Sequence, residues 1–161
     1  MALGDITILE QNSEMGRGGR VYNVGASPTL IYAGEPVART LGGIVVTPCA
    51  TSAGQVGTDY IVGVATTTST NVTATAGTVN VLPLTNGTTF LISPKTAATW
   101  DTQAEYDALV GKRMTLDLTS SSYTINATDA SGNGLVVMPL DISKYPGKVA
   151  FAFRSALSDL A

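Results

Sequence analysis

The chain contains no histidine and only one cysteine, Cys49. Without an imidazole, neither a Ser-His-Asp nor a Cys-His catalytic arrangement can be built, because imidazole is the group that exchanges protons near neutral pH. One sulfur and no imidazole also exclude the usual four-ligand zinc site. A single cysteine cannot form an intramolecular disulfide, and no cation lies close to Cys49 in the sequence to activate its thiol. We therefore expect no catalytic residues, no metal and no cofactor. We predict that the protein is not an enzyme.

Charge is also scarce. Charged residues make up 13% of the 161 residues, with a net charge of -3, against a usual share of about 25%. An acidic balance argues against direct binding to nucleic acid, which requires a basic surface. So few charges are typical of a surface that is covered by copies of the same protein or by a partner.

Long apolar runs are missing as well. No stretch approaches the roughly 20 apolar residues needed to cross a bilayer, so no contact with a membrane is expected. The first basic residue is Arg17, and the N-terminal sequence lacks the charged and apolar regions of a secretory signal. We expect the chain to be made and folded in a cytosol.

One acidic segment has the start of a calcium loop. The segment Asp129–Gly134 places Gly134 at the sixth position of an EF-hand-like pattern, but Leu140 stands where a bidentate glutamate is needed. A hairpin turn between predicted strands at Tyr123–Asn126 and Leu135–Met138 is the favoured interpretation.

What the sequence does contain is a series of short strand patterns separated by turn residues. Asn86-Gly87 predicts a hairpin between two of these strands. Residues 60–94 carry no charge, which is normal for strands whose edges are paired or covered. The fold is therefore predicted to be mainly β, with a compact barrel-like body. Strands are predicted at Thr29–Tyr32, Ile44–Val46, Tyr60–Ala65, Thr78–Leu84, Thr88–Ile92, Met114–Leu118, Tyr123–Asn126, Leu135–Met138 and Val149–Phe153.

One short helix is predicted at residues 102–110. Thr102 can cap its N-terminus, Glu105 completes a capping box, and Gly111 can close its C-terminus. Trp100 precedes the helix and is predicted to pack in the hydrophobic core. The alternative is that its ring forms an exposed platform for a glycan. The residues expected to form the buried stripe of the helix are Ala104, Ala108 and Leu109.

Residues 1–27 differ from residues 28–161, which form the predicted β domain. A short apolar piece is followed by a glycine-rich stretch, which predicts an extended N-terminal arm that adds a strand to a neighbour's sheet. Its arginines are expected to meet carboxylates on a protein partner, the alternative being a weak nucleic-acid-binding segment. A disordered or self-packed terminus is the alternative to the arm itself. The candidate contact residues are Ile6, Ile8, Leu9, Arg17, Arg20 and Tyr22.

The order of segments over about residues 29–161 resembles the small capsid decoration (cement) proteins of tailed bacteriophages. The segments that carry the resemblance are Tyr60–Ala65, Val79–Leu84, Thr89–Ile92, Leu109–Arg113, Met114–Leu118, Asn133–Val137 and Gly147–Arg154.

The resemblance implies a compact β-tulip or barrel body without catalytic residues, commonly assembled as a homotrimer. It also implies a position on the outer surface of the virion, where the protein clamps neighbouring major capsid protein subunits against internal DNA pressure. Synthesis would take place in the host bacterial cytoplasm. The alternative is another virion component, such as a head spike, fibre or tail protein that binds a receptor or glycan. An enzyme that works without histidine is the remaining alternative.

Overall fold

The structure, a computed structural model, describes residues 6–10, 19–40, 43–49, 59–84, 88–119, 122–127 and 135–153. Within these ranges the protein is mainly β with one short α-helix, α1 (Gln103–Asp107), which confirms the predicted fold class. The strands are β1 (Thr7–Glu10), β2 (Arg20–Val24), β3 (Pro36–Thr40), β4 (Val45–Pro48), β5 (Asp59–Ala65), β6 (Gly77–Pro83), β7 (Thr89–Ile92), β8 (Arg113–Thr119), β9 (Ser122–Asn126), β10 (Leu135–Val137) and β11 (Val149–Phe153).

The strands form two sheets. Five of them close into a barrel in the order β2-β4-β3-β5-β6, in which β2 runs parallel to β4 and antiparallel to β6. The other six form an antiparallel sheet in the order β1-β7-β11-β10-β8-β9. The closed barrel has no strand edges, whereas the six-stranded sheet ends in β1 on one side and β9 on the other.

The interior of the barrel is filled by small, mostly β-branched side chains, which suit the pleated surface of a strand. Their small volume allows five strands to close around them. The members of this cluster are Val24, Ile31, Val37, Val46, Val62, Ala65, Val79 and Val81.

A second and larger cluster lies between the barrel and the six-stranded sheet. The barrel contributes side chains from β3, β5 and β6, and the sheet contributes larger aliphatic and aromatic ones. Phe90 and Phe151 stack with ring centroids 5.7 Å apart, and Phe153 meets both edge-on. Members contributed by the barrel include Ala38, Ile61, Val64 and Leu82, and members contributed by the sheet include Phe90, Leu116, Ile125, Leu135 and Phe151.

Strand β5 contributes to both clusters because both of its faces are buried, and its pairing register with β3 slips by one residue at Val62. Such a bulge interrupts the strict alternation of side chains along a strand. Ile61 and Val64 therefore face the six-stranded sheet, whereas Val62 and Ala65 face the interior of the barrel. The continuous apolar run predicted as a buried strand is thus buried on both faces.

The strand predicted at Thr29–Tyr32 is wrong, because the structure has no strand there. Ile31 is fully buried, and its main-chain N–H and C=O are both satisfied by one residue of the connection between β5 and β6. Its N–H donates to the Ser69 hydroxyl (2.9 Å), and its carbonyl accepts from the Ser69 N–H (2.8 Å). Because Ser69 satisfies both of these main-chain groups, Ile31 can stay buried without pairing with a neighbouring strand.

Both predicted hairpins are also wrong. β6 belongs to the barrel and β7 to the six-stranded sheet, so the strands on either side of Asn86-Gly87 are not paired with each other. β9 and β10 lie on opposite sides of β8, so they are not a hairpin either. The connecting residues 85–87 and 128–134, including the calcium-like segment, lie outside the described residues.

The N-terminus of α1 agrees with the predicted capping box. The Thr102 hydroxyl accepts from the Glu105 N–H (3.3 Å), and the Glu105 carboxylate accepts from the Thr102 N–H (3.0 Å). The helix is shorter than predicted, because after Asp107 the chain continues in turns to Gly111, whose φ of 77° closes the segment.

The buried side chain of α1 is Tyr106, which corrects the predicted stripe of Ala104, Ala108 and Leu109. The two alanines are exposed and Leu109 is only partly buried, because one helical turn presents a single residue to the core. Trp100 is 6% exposed and its ring lies 5.6 Å from that of Tyr106, which confirms it as a core residue.

Two strands fall within the predicted N-terminal arm, and both are paired inside the protein. β1 pairs with β7, and β2 closes the barrel between β4 and β6. The structure therefore corrects the expectation of an extended arm for these two strands, because their main-chain partners come from the same chain. Residues 1–5 and 11–18 lie outside the described residues.

Candidate partner-binding surfaces

The first candidate surface is the outer main-chain edge of β1, called here the β1 edge (Thr7–Glu10). β1 pairs with β7 on one side, and within the described ranges no strand pairs with its other side. The opposite end of the sheet differs, because Ile125 of β9 exchanges main-chain hydrogen bonds with Ser93 and Lys95. An open edge presents unpaired N–H and C=O groups to a partner strand.

The β1 edge is held against the body by its neighbours. Ile6 is buried in the larger cluster, and its N–H donates to the Gly34 carbonyl (3.3 Å). Leu9 is partly buried against the same cluster, whereas Ile8 is 44% exposed. Of the three apolar residues predicted to contact a partner, only Ile8 is therefore presented outward, on a strand that is already ordered.

The other predicted contact residues lie elsewhere. Arg20 is exposed at the start of β2, and Tyr22 is partly buried against the barrel cluster. Arg17 lies outside the described residues. The structure thus divides the candidates between two sheets, with Ile8 on one and Arg20 on the other.

The second candidate surface is the outer side of β2 and β4, called here the β2–β4 face (Val21, Asn23, Val45 and Thr47). In the closed strand order, β5 lies across the barrel from β2 and β4. The six-stranded sheet covers the β5 side, where Ile61 and Val64 are buried. The β2–β4 face is therefore the side of the barrel that points away from the other residues that the structure describes.

The outward residues of this face carry no charge, but the exposed Arg20 precedes Val21 at the start of β2. Val21 is 68% exposed and Val45 41%, and Ile44, which precedes β4, is 81% exposed. Asn23 lies opposite Val45 in the parallel pair, and Thr47 is exposed further along β4. Large aliphatic side chains at neighbouring positions form an exposed patch of the kind found at protein contacts.

Sequence reasoning missed the β2–β4 face. A strand was predicted at Ile44–Val46, and residues 21–24 were assigned to the extended arm, but alternation alone does not tell which side of a strand the protein itself covers. The low charge of the chain was the available signal, and it did not point to a particular strand.

A cavity of about 150 Å³ lies beside Trp100. The indole is buried against Tyr106, so it does not offer the flat exposed ring that a glycan platform requires. Lys148 at the rim donates to the Ser93 hydroxyl (3.1 Å). The cavity is lined by Pro94, Ala97, Trp100, Asp101, Ile142, Pro146, Gly147 and Lys148.

Two titratable side chains have shifted pKa values with structural causes. The Tyr106 hydroxyl donates to the Met138 carbonyl (2.9 Å) and accepts from the Ala150 N–H (2.9 Å), and burial raises its pKa. The Ser143 hydroxyl (2.6 Å) and N–H (3.1 Å) donate to the exposed Asp141 carboxylate and lower its pKa. The first interaction fastens the α1 segment to the sheet, and the second shapes a turn.

In the part of the chain that the structure describes, no three His, Cys, Asp or Glu side chains are grouped to hold a metal ion. Cys49 is buried and is not in a disulfide. None of the helices in that part has the length and apolar character needed to span a bilayer. No family model, curated protein or solved structure matches the chain.

Proposed function

We propose that the protein is a structural virion protein of the capsid decoration type. It binds the outer surface of a tailed-phage head and clamps neighbouring major capsid protein subunits against the pressure of the packaged DNA. It acts by contact and not by catalysis, as a homotrimer, and its partners are the capsid protein and copies of itself. The observation that carries the proposal is the β1 edge, an ordered strand whose outer side has no strand partner within the described ranges.

The contact works by strand addition. A capsid segment pairs with the outer side of β1, and the main-chain hydrogen bonds, worth about 0.5–1.5 kcal/mol each, supply part of the affinity. Ile8 adds the apolar part, because covering its exposed side chain stabilises the contact by about 25 cal/mol per Å². The exposed side chains beside β1 determine which capsid segment can pair with it.

Each such contact contributes a modest affinity, and the trimeric assembly raises the overall affinity for the head. Three copies in one trimer attach to the head at the same time, so release requires that all contacts break together. The net charge of -3 fits a protein that contacts other proteins and not the packaged DNA. In this proposal the protein is made in the host cytoplasm and resides on the outside of the capsid.

The test is binding to undecorated expanded heads of the phage that encodes the chain. Ile8→Asp places a charge on the β1 edge, and we expect it to weaken binding about tenfold or more. The matched control is Val72→Asp, since Val72 is also an exposed aliphatic residue but lies on a barrel loop. Bound protein is measured by co-sedimentation and by occupancy in cryo-electron microscopy. Full occupancy with Ile8→Asp would overturn the role of the β1 edge.

A deletion of residues 1–25 is a poor test of the same idea. It removes β2 as well as β1, and β2 closes the barrel between β4 and β6. Loss of binding by the truncated protein could then result from disruption of the barrel and would not test the β1 edge. The single substitution leaves both sheets intact and changes only an exposed side chain.

A further inference from the structure

The pairing of β7 with its neighbours determines which main-chain groups of the β1 edge are free. Residues of an antiparallel strand direct their N–H and C=O groups alternately to the two sides of the strand. The Ala150 carbonyl of β11 accepts from the Met138 N–H (2.9 Å), just after β10, so Ala150 is directed away from β7. The next residue, Phe151, therefore bonds with Phe90 of β7. Leu91 is then directed to the other side of β7, where β1 lies.

This alternation fixes the direction of each residue of β1. Thr7 lies opposite Leu91 and exchanges main-chain hydrogen bonds with it, whereas Ile8 lies opposite Phe90, whose groups are directed to β11. The N–H and C=O of Ile8 therefore point away from β7, to the outer side of the strand. Within the described ranges, neither group has a hydrogen-bond partner.

Gly34 occupies the same outer side of β1 two residues earlier. The Ile6 N–H donates to the Gly34 carbonyl (3.3 Å), as expected if alternate residues of β1 are directed outward. The Gly34 N–H donates in turn to the Ala65 carbonyl (2.7 Å) at the end of β5. Gly34 is thus fixed to the barrel, about 7 Å along β1 from the free groups of Ile8. A strand that pairs at Ile8 must leave the edge before it reaches Ile6.

A β-bulge limits the edge on the other side of Ile8. The register passes from Ile8 opposite Phe90 to Glu10 opposite Thr89, so Leu9 is the extra residue of the bulge. A bulge interrupts the regular ladder and bends the strand, so a regular partner strand cannot follow β1 past this point. Within β1, the complete pair of groups open to a partner is therefore the N–H and C=O of Ile8.

We infer that the capsid segment pairs antiparallel to β1 and is recognised through one residue opposite Ile8. The N–H of that residue donates to the Ile8 carbonyl, and its carbonyl accepts from the Ile8 N–H. The residue is not proline, because proline has no N–H to donate. The inference rests on the proposed function for the identity of the partner, and it adds the orientation and the position of the contact.

The antiparallel orientation follows from what surrounds Ile8. Antiparallel pairing places both hydrogen bonds on the same residue of β1. Parallel pairing would divide them between Ile8 and a residue two positions away. On one side that residue is Ile6, where Gly34 already lies against the edge. On the other side it is Glu10, which is directed inward to Thr89.

The test compares Ile8→Pro with Ile8→Ala in the binding of the full-length protein to undecorated expanded heads. Proline removes the outward N–H and leaves the bonds between β1 and β7, since an edge strand accepts proline where its N–H faces solvent. Alanine is the matched control, because it also shortens the apolar side chain but keeps the N–H. We expect Ile8→Pro to bind about tenfold or more weakly than Ile8→Ala. Circular dichroism checks that both variants are folded, and equal binding by the two would overturn the inference.

Hydrogen exchange of the wild-type protein gives a second readout that needs no variant. In the free protein, the Ile8 amide should exchange faster than the amides of Ile6 and Thr7, which already have partners in Gly34 and Leu91. On heads, exchange at Ile8 should slow about tenfold or more. Unchanged exchange at Ile8 in the bound protein would overturn the inference.

The outcomes separate this inference from the proposed function. A wild-type protein that does not bind heads would overturn the proposed function and the inference with it. Wild-type binding together with equal binding by Ile8→Pro and Ile8→Ala overturns the inference alone. If exchange at Ile8 slows in concentrated protein without heads, the partner of the edge is a second copy of the chain, which also contradicts the inference.

Discussion

The phenol of Tyr123 donates a hydrogen bond of 2.7 Å to the main-chain oxygen of Cys49. Tyr123 lies on β9 in the six-stranded sheet, and Cys49 follows β4 at the end of the barrel. Both residues are buried, so the bond lies inside the larger cluster and joins the two sheets directly. Packing alone leaves two apolar surfaces able to slide, whereas this bond fixes one point of their relative position.

Tyr123→Phe keeps the ring and removes this bond. We expect the free energy of unfolding to fall by about 1–3 kcal/mol, as is usual when a buried hydrogen bond is lost. Chemical denaturation followed by circular dichroism measures the change. Tyr145→Phe is the control, because Tyr145 is exposed and its variant should unfold like the wild type. Equal stability of the two variants would show that the Tyr123 bond contributes nothing.

Gly63 on β5 is a second point of close contact between strands. A Cβ atom added there would lie 2.0 Å from the Leu82 carbonyl oxygen and 2.6 Å from a methyl group of Val81. Strands β5 and β6 would have to separate to accept it. We therefore expect Gly63→Ala to lower the free energy of unfolding by about 3 kcal/mol or more.

The matched control for Gly63→Ala is Gly25→Ala, since a Cβ atom at Gly25 meets nothing within 4 Å. The same chemical change is then made at a site with space, and the expected effect on thermal unfolding is small. If both variants melt together at the wild-type temperature, the predicted clash at Gly63 is absent.

The features that the sequence predicted correctly depend on residues close together in the chain. The Thr102 and Glu105 capping box needs only four consecutive positions. The strand patterns at Tyr60–Ala65 and Val149–Phe153 also arise from local β-branched and apolar content. Such features are largely independent of how the sheets are assembled, so they could be identified without a structure.

Strand pairing could not be predicted in the same way. Asn86-Gly87 favours a tight hairpin, but the sequence on either side cannot show that β6 is already paired with β5 and β2. The slip at Val62 likewise depends on β3, which lies more than twenty residues away. Long-range pairing decided these points against local preference.

The candidate surfaces also combine features that local sequence predicts with features that depend on long-range strand pairing. Ile6, Ile8 and Leu9 were correctly identified as a strand-like apolar piece, but the outward direction of Ile8 follows from the pairing of β1 with β7. The exposure of Val21 and Val45 follows from the side of the barrel that the six-stranded sheet covers. Neither fact is encoded within a short segment of sequence.

Tyr106 gives the protein a predicted sensitivity to alkaline pH. Burial raises the pKa of its phenol above the ordinary value of about 10, so the folded state binds this proton more tightly than the unfolded state does. The stabilisation is complete below the unfolded pKa and is lost as the pH rises through the folded pKa. Stability measured by denaturation should therefore decline above about pH 10.

In Tyr106→Phe the decline above about pH 10 should be shallower, because this proton is no longer linked to folding. The variant should also lose about 1–3 kcal/mol at neutral pH, since the Met138 carbonyl and the Ala150 N–H lose their hydroxyl partner. Tyr145→Phe, which removes the phenol oxygen of an exposed tyrosine, is the control. An unchanged slope in Tyr106→Phe would contradict the assignment.

Asn71 holds together two connections at one end of the barrel. Its side-chain amide donates to the carbonyls of Ser27 (2.8 Å) and Thr29 (3.0 Å). Its oxygen accepts from the Ser69 hydroxyl (2.6 Å), which itself accepts from the Ile31 N–H (2.9 Å). Asn71 is buried, so this network links residues 27–31 to residues 69–71 away from competing water.

Asn71→Ala removes the centre of this network. We expect a loss of about 1–3 kcal/mol in the free energy of unfolding, because several polar groups lose their partners at once. Local loosening should appear as faster hydrogen exchange at the Ile31 amide, measured by mass spectrometry or nuclear magnetic resonance. Thr73→Ala changes an exposed residue of the same loop and should leave that exchange rate unchanged. If Ile31 exchanges at the same rate in both variants, the segment containing Ile31 is held by apolar packing in the barrel and not by the Asn71 network.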